Sequence, residues 1–417
     1  MPTVLLILPT STYRAEEYLS AAERLGVTVV IASERRQAMA GVMGEAFLEV
    51  PLADPRQAAE LLVDHGRRVT FDAVVAVDDQ GLLAAALACE TLGLRHSPAA
   101  AVALTRDKAA MRAAFAGAAV PQPDYEVVPA QQVARASERL GMPVVVKPAS
   151  LSASRGVIRA DTSAEAGAAA DRIVRMLAAG EGVPAALVVE RFVPGPEVAV
   201  EGMCRDGQAA VLAVFDKPDP LDGPYFEETF YVSPSRLPPS LLAAIETAAL
   251  SAVHALGLTD GPFHAELRVG DSTATVKVLE VAARTIGGRC STAMRLANGW
   301  GLEELVISNA LGSPQAWPPP VLAGPCGILM IPIPRSGTLR SVNGIDEARL
   351  LPGITGAEMS IAVGRPVLAL PEGSRYLGFV FAAADSAEAV EASLRRAEGL
   401  LVVDIDDPGV VASDTVT

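Results

Sequence analysis

The sequence predicts an α/β fold that gives way to α+β further along the chain, and three observations predict it. Short apolar runs alternate with amphipathic stretches over the first hundred residues. In the middle of the chain, otherwise apolar strands are interrupted by charged residues. A proline-rich break, Trp317-Pro318-Pro319-Pro320, precedes a last segment that mixes strand and helix patterns. These features divide the 417 residues into expected domains at 1–97, 98–316 and 321–410, and the chain is long enough to bury more than one core.

Taken in order, residues 4–8 read as a strand, 14–25 as a helix and 27–31 as a strand. Residues 73–77 then form a strand that leads into a helical stretch at 82–92. Strand, helix, strand at this spacing is a parallel unit of Rossmann type. The turn after the first strand is Pro9-Thr10-Ser11-Thr12 and lacks GxGxxG, so no dinucleotide site is expected and the segment reads as a scaffold. Beyond Thr105, Pro and Gly bound a series of apolar strands, and two long helical stretches cover 164–177 and 240–256. After the proline break, GILMIPIP and YLGFVFAA read as strands and 387–399 as a helix, with a frayed tail after Asp407.

Composition excludes several classes of function. Alanine and valine carry the mean hydropathy of +0.33. Charge, Gly or Pro cuts each apolar run short of a spanning length, so no membrane segment is expected. No basic leader precedes VLLILP, which makes the cytoplasm the expected location. Cys89, Cys204, Cys290 and Cys326 lie far apart without metal-ligand spacing and read as buried reduced thiols. Acidic residues outnumber basic ones by 49 to 34, the net charge is −15 and aromatics are 4%, which argues against a nucleic-acid partner. An anionic ligand would have to be met by cations gathered locally.

The chemistry is expected in three places. VVVKPASLSASRGV, 144–157, is a buried-type strand ending in Lys147, then a hydroxyl-rich loop with Ser150, Ser152, Ser154 and Gly156. A lysine beside such a loop suits phosphate, although the segment also reads as an ordinary strand and surface loop, and it is not a Walker A motif. VVERFVPGPEVAVEG, 188–202, sets Glu190, Glu197 and Glu201 around a Pro-Gly-Pro turn. Carboxylates there are exposed, paired or bound to a ligand. In FHAELRV and VLEVAARTIGGR, period two puts His264, Glu266 and Arg268 on one strand face, and Glu280, Ala282 and Arg284 on another. Paired through a turn at Gly270-Asp271, Glu266 and Glu280 converge, and a hard divalent cation or a salt-bridge cluster would compensate them.

Lys108 in TRDKAAMR, Lys147, Glu190 to Glu197 in ERFVPGPE, Glu266, and Glu280 with Arg284 occur in an order and spacing that resemble the ATP-grasp superfamily over roughly 100–312. The resemblance implies a Rossmann-like N-terminal domain, a central ATP-grasp domain and a small α+β C-terminal domain. It implies ATP held by Lys108, Lys147, Ser152, Ser154 and Gly156, with Glu190, Phe192 and Val193 at the adenine and Glu197 at the ribose. Glu266 and Glu280 would hold Mg2+, or Mn2+ in its place, and Arg284 would steady an acyl phosphate. FDKPDPLDGPYFEETFYVSPSRLP, 215–238, and the C-terminal GFVFAAADSAEAVEASLRRA resemble the branch of bacterial L-amino acid ligases. By that likeness Glu228 and Tyr231 face the substrate, Gly287, Gly288 and Arg289 border the acceptor pocket, and Glu228 is the candidate base. Ala282 stands where many members have Asn, and Tyr231 where related branches often have His.

The implied activity joins a small carboxylate to a small amine, with amino acids as the expected substrates, and releases ADP and phosphate. Its rivals are a purine- or biotin-type ligase of the same fold and a nucleotide-binding protein without turnover. The residues select no oligomeric state, a homodimer being one option.

Overall fold

The computed structural model describes residues 1–35, 44–178, 186–270 and 276–406. Asp271 of the expected turn and the tail after Asp407 lie outside the described residues. Strands β1 (Thr3–Ile7), β2 (Thr28–Ser33), β3 (Phe47–Glu49) and β4 (Ala73–Ala76) form a parallel sheet in the order β3-β2-β1-β4. Residues 4–8 are continuously apolar because both faces of this sheet are covered. Val4, Leu6 and Leu8 pack with helices Ala15–Leu25 and Leu302–Ala310, while Leu5 and Ile7 pack with helices Pro55–Gly66 and Leu82–Leu92.

The next sheet is antiparallel, with order β5-β8-β6-β7 for β5 (Tyr125–Val128), β6 (Val144–Pro148), β7 (Ile158–Ala160) and β8 (Leu187–Arg191). Val144 and Val146 point to a core shared with helices Val133–Leu140 and Ser163–Ala178. By the two-residue period Val145 and Lys147 then face the other way, and Glu190 opposes Val145 in register.

A large sheet contains β9 (Glu197–Arg205), β10 (Gln208–Lys217), β11 (Phe230–Ser233), β12 (Gly261–Val269), β13 (Val276–Ala282) and β14 (Cys326–Ile331). β16 (Ile354–Met359) and β18 (Gly378–Ala383) complete it, in the order β13-β12-β9-β10-β11-β14-β18-β16. The C-terminal strands thus extend the central sheet through the β11–β14 pairing. The short β17-β15-β19 sheet, of β15 (Gly337–Asn343), β17 (Pro366–Val367) and β19 (Val402–Asp406), and helix Ala387–Glu398 complete that end. The architecture is mixed α/β in three domains.

Helix Pro239–Leu256 corrects one expectation, because by length and composition it could cross a membrane. Its single acidic residue, Glu246, does not break the apolar run. Here it is a core helix: Ile245, Ala249 and Val253 pack against Phe263, Ala265 and Leu267 of β12. Alternation then sends His264, Glu266 and Arg268 to the opposite face. In the same sheet Gly202 allows close packing, since a Cβ there would lie 2.0 Å from the Phe263 ring and 2.7 Å from the Ala210 carbonyl oxygen. Gly202→Val should therefore cost about 1–3 kcal/mol through overpacking. Thermal melting of the two proteins checks this, and an unchanged midpoint would show that the sheet yields at no cost.

Candidate active site

A cavity of about 980 Å³ opens where the sheets converge. Lys108, Lys147, Ser152, Ser154, Glu190, Phe192, Val193, Glu197, Glu228, Tyr231, Glu266, Glu280, Arg284, Gly287 and Gly288 all line it, although they span nearly two hundred residues of sequence. Gly156, also expected here, is not on the wall. Its N–H donates to the Pro371 carbonyl at 3.0 Å. With φ of +68°, a conformation that favours glycine, it turns the loop toward the C-terminal region instead.

The cationic side of the cavity is built on pairing. Glu190, expected at an adenine, uses both oxygens on cations: Arg112 Nε donates to it at 2.7 Å and Lys147 Nζ lies 2.9 Å away. In this structure it therefore holds Lys147. Burial pushes the Lys147 ammonium below its ordinary range, against the pull of Glu190. Lys108 Nζ donates to the Leu151 carbonyl at 2.5 Å and to Glu280 at 3.1 Å, tying the loop to the opposite sheet. Nearby, Phe192 stacks on Phe226 with centroids 6.4 Å apart, and the Arg268 guanidinium lies 4.9 Å from the Phe192 ring. Together with Val193 and Leu221 they form the apolar end of the cavity.

Lys217 was missed by sequence reasoning. Buried at the end of β10, it donates to Glu197 at 2.6 Å, to Glu228 and to Glu266 at 3.4 Å. Among the described residues, Glu197, Glu228 and Glu266 bring carboxylate oxygens within 4.8 Å of one another, and the one ammonium among them offsets one of the three charges. Burial and the neighbouring Glu266 raise the Glu228 carboxyl even though Lys217 opposes this. Glu197 gives its other oxygen to Arg268 Nε at 2.8 Å. The signal that singled out Lys147, a lysine closing an apolar strand, is also present in VLAVFDK.

Glu266 and Glu280 are opposite each other in the β12–β13 register, and a bulge follows at Leu279. Their side chains remain about a quarter exposed, at 26% and 27%, whereas Glu190 and Glu197 are at 4% and 8%. Two reachable carboxylates on adjacent strands are the hard oxygen donors that Mg2+ takes, so the residues fit such an ion. His264 stands beside them, bonded to Glu201 at 2.8 Å and 3.5 Å from Glu266. Burial works against its charged form, but the two carboxylates raise it to about 9. The β12 alternation revealed this residue without indicating a role for it.

The N-terminal region is more than a scaffold, because the C-terminal ends of its parallel strands reach the cavity with Tyr13, Arg14, Asp78 and Asp79. Tyr13 Oη accepts from the Gly288 N–H at 2.8 Å. Arg289 pairs with Glu17 and with Glu358, which ties the first and last regions to the loop after β13.

Three family models match the chain: an ATP-grasp N-terminal domain at 19–96, an ATP-grasp domain at 140–293, and L-amino acid ligase C-terminal domain 2 at 329–406. The chain is an ATP-grasp protein, with a fold that implies binding of ATP and Mg2+. Within that superfamily it is related to the L-amino acid ligases. The crystal structure of an L-amino acid ligase from Bacillus licheniformis superposes with a TM-score of 0.80 at 25% identity, over 98% of this chain and 99% of that one. Alanine–anticapsin ligase of Bacillus subtilis is 27% identical over 270 residues, 60% of this chain and 56% of the ligase. An uncharacterized protein of Sinorhizobium fredii is 24% identical over 402 residues, covering 95% of this chain and 82% of its own length.

The Glu190 pairing makes a testable statement about pH. Burial pushes its carboxyl up, but Arg112 and Lys147 together bring it down to about 2. A folded value below the unfolded one means that the stabilisation is complete above the unfolded carboxylate range, near 4.3. It is lost as pH falls toward 2. Glu190→Gln should be about 3 kcal/mol less stable near neutrality, since it leaves two buried cations short of a partner. The gap measured by urea unfolding should narrow below about pH 4; a constant gap would deny the ion pairing.

Proposed function

We propose that this protein is an ATP-dependent carboxylate–amine ligase that joins two small substrates, amino acids by kinship, through an acyl phosphate, with release of ADP and phosphate. The observation that carries this reading is a single cavity holding Lys108 and Lys147 on one wall, Glu266 and Glu280 on another, and Arg284 beside them.

Hydroxide is a poor leaving group, so a carboxylate must be phosphorylated before an amine can displace its oxygen. In this reading Lys108, Lys147 and the hydroxyls of Ser152 and Ser154 meet the ATP phosphates. Phe192, Val193 and Phe226 border adenine, and Glu197 retains lone pairs for ribose hydroxyls beside Lys217 and Arg268. Glu266 and Glu280 hold Mg2+, or Mn2+ in its place, which when bound supplies Lewis-acid neutralisation of phosphate charge. Arg284 presents its guanidinium to the oxygens of the acyl phosphate and of the tetrahedral adduct. Glu228, whose raised carboxyl is poised to accept a proton, takes it from the incoming amine, and Tyr231 beside it shapes the substrate end. Gly287 and Gly288 leave room for the acceptor. The four cysteines are free and buried, which suits a reducing cytoplasm.

Supplying amino acids in pairs with MgATP should release ADP and phosphate only when both a carboxylate and an amine are present, with the amide product visible by mass spectrometry. AMP and pyrophosphate, or nucleotide binding without turnover for any pair, would contradict the proposal. Lys147→Ala should weaken ATP binding about tenfold to a hundredfold, the contribution of one charge-assisted hydrogen bond. Calorimetric titration reads that change, and unchanged affinity would remove Lys147 from the phosphate site.

A further inference from the structure

We infer that Asp79, in the N-terminal domain, is a positioning residue that sets the orientation of Arg284, so that the N-terminal domain contributes directly to the chemistry. This rests on the ligase reading only for the identity of the oxygens that Arg284 meets.

Asp79 Oδ1 lies 3.0 Å from Arg284 Nε and 2.9 Å from an Arg106 terminal nitrogen. All three residues line the cavity, as does Ser152 of the hydroxyl-rich loop. Arg284 donates from Nη1 to the Thr285 carbonyl at 3.0 Å. With Nε on Asp79 and Nη1 on the backbone, the planar guanidinium has two edges fixed, and Nη2 has no protein acceptor among the described residues. A planar fork held on one side offers the other in a defined direction, which is the geometry needed to meet two anionic oxygens.

The backbone under Arg284 is held from the same domain. Arg14, which is buried, donates to the Ile286 carbonyl at 2.8 Å and to the Thr285 hydroxyl, and at 3.0 Å to the Val77 carbonyl. Arg14 follows β1 and Asp79 follows β4, and these strands are parallel neighbours. Two adjacent strand ends therefore grip the segment 284–286, one by its main chain and one by its guanidinium. An aspartate placed only to neutralise Arg106 would have no need to bind Arg284 at Nε.

The test combines a kinetic cycle with a binding measurement, using the full chain. Asp79→Asn keeps the shape and removes the charge. It should lower kcat about a hundredfold, the effect of a misplaced reacting group, and leave KM for ATP within about twofold. Combined with Arg284→Lys, it should add little further loss, because both changes disable one unit. A merely structural aspartate predicts early melting, near-normal kcat per folded molecule and losses that add in the double variant; either that additivity or unchanged kcat overturns the inference. Independently of turnover, inorganic phosphate titrated into the protein saturated with MgADP should bind about tenfold more weakly in Asp79→Asn. Equal affinity, or no phosphate binding in the unmodified protein, also overturns it. Absence of amine-dependent turnover in the unmodified protein, with phosphate binding and its loss in Asp79→Asn intact, refutes the ligase reading and leaves the positioning role standing.

Discussion

Glu190 sits between Arg112 and Lys147, Glu197 between Lys217 and Arg268, and Asp79 between Arg106 and Arg284. The same constraint underlies all three: ionised groups drawn out of water need partners, because an unpaired buried charge costs several kcal/mol. In a chain of net charge −15 the requirement is sharper, since the cations that would receive phosphate must be concentrated against the overall field. The cavity meets it by alternating signs around its wall. Lys108, Lys147, Arg268 and Arg284 are each steadied by a carboxylate.

This arrangement explains why the site is assembled from separate sheets. A single strand presents one charged residue every second position, all on one face. Lys147 on β6 and Glu266 on β12 can oppose each other only because two antiparallel sheets, each backed by its own helices, turn their uncovered faces to one space. The parallel N-terminal sheet adds its strand ends at the rim. The C-terminal strands continue the large sheet through β11 and β14, which brings Tyr376 and Phe379 to the same cavity. The loop at 150–156 is docked on this last region: Gly156 donates to Pro371, and Arg172 forks onto Glu372 at 2.7 and 2.9 Å. Arg155 Nε of the loop also donates to the Glu372 carbonyl at 3.3 Å, so the loop and the helix that carries Arg172 meet the C-terminal region at the same place.

Much of the site was legible in the sequence. The two-residue period in FHAELRV separated Phe263, Ala265 and Leu267 from His264, Glu266 and Arg268, and the structure places those sets on opposite faces. Glu266 and Glu280 were expected across from each other and are. Lys147 stood out because a charge at the end of an apolar strand is expensive unless it is used. Lys217 carries the same local signal. Asp79 lies in an acidic pair after an apolar strand, an ordinary pattern where strands end in solvent, and no local feature distinguishes it from Asp78.

The sequence by itself determined which faces are apolar, where the strands and helices run, and which charged residues interrupt them, because those properties depend on neighbours a few positions apart. Only the tertiary structure decided the pairings. Arg14 with Ile286, Asp79 with Arg284 and Arg172 with Glu372 join residues about two hundred or more positions apart. No periodicity links such positions. Their partnership follows from the packing of sheets and helices, which puts strand ends from three domains around one cavity and leaves each buried charge to pair with whichever opposite charge arrives there.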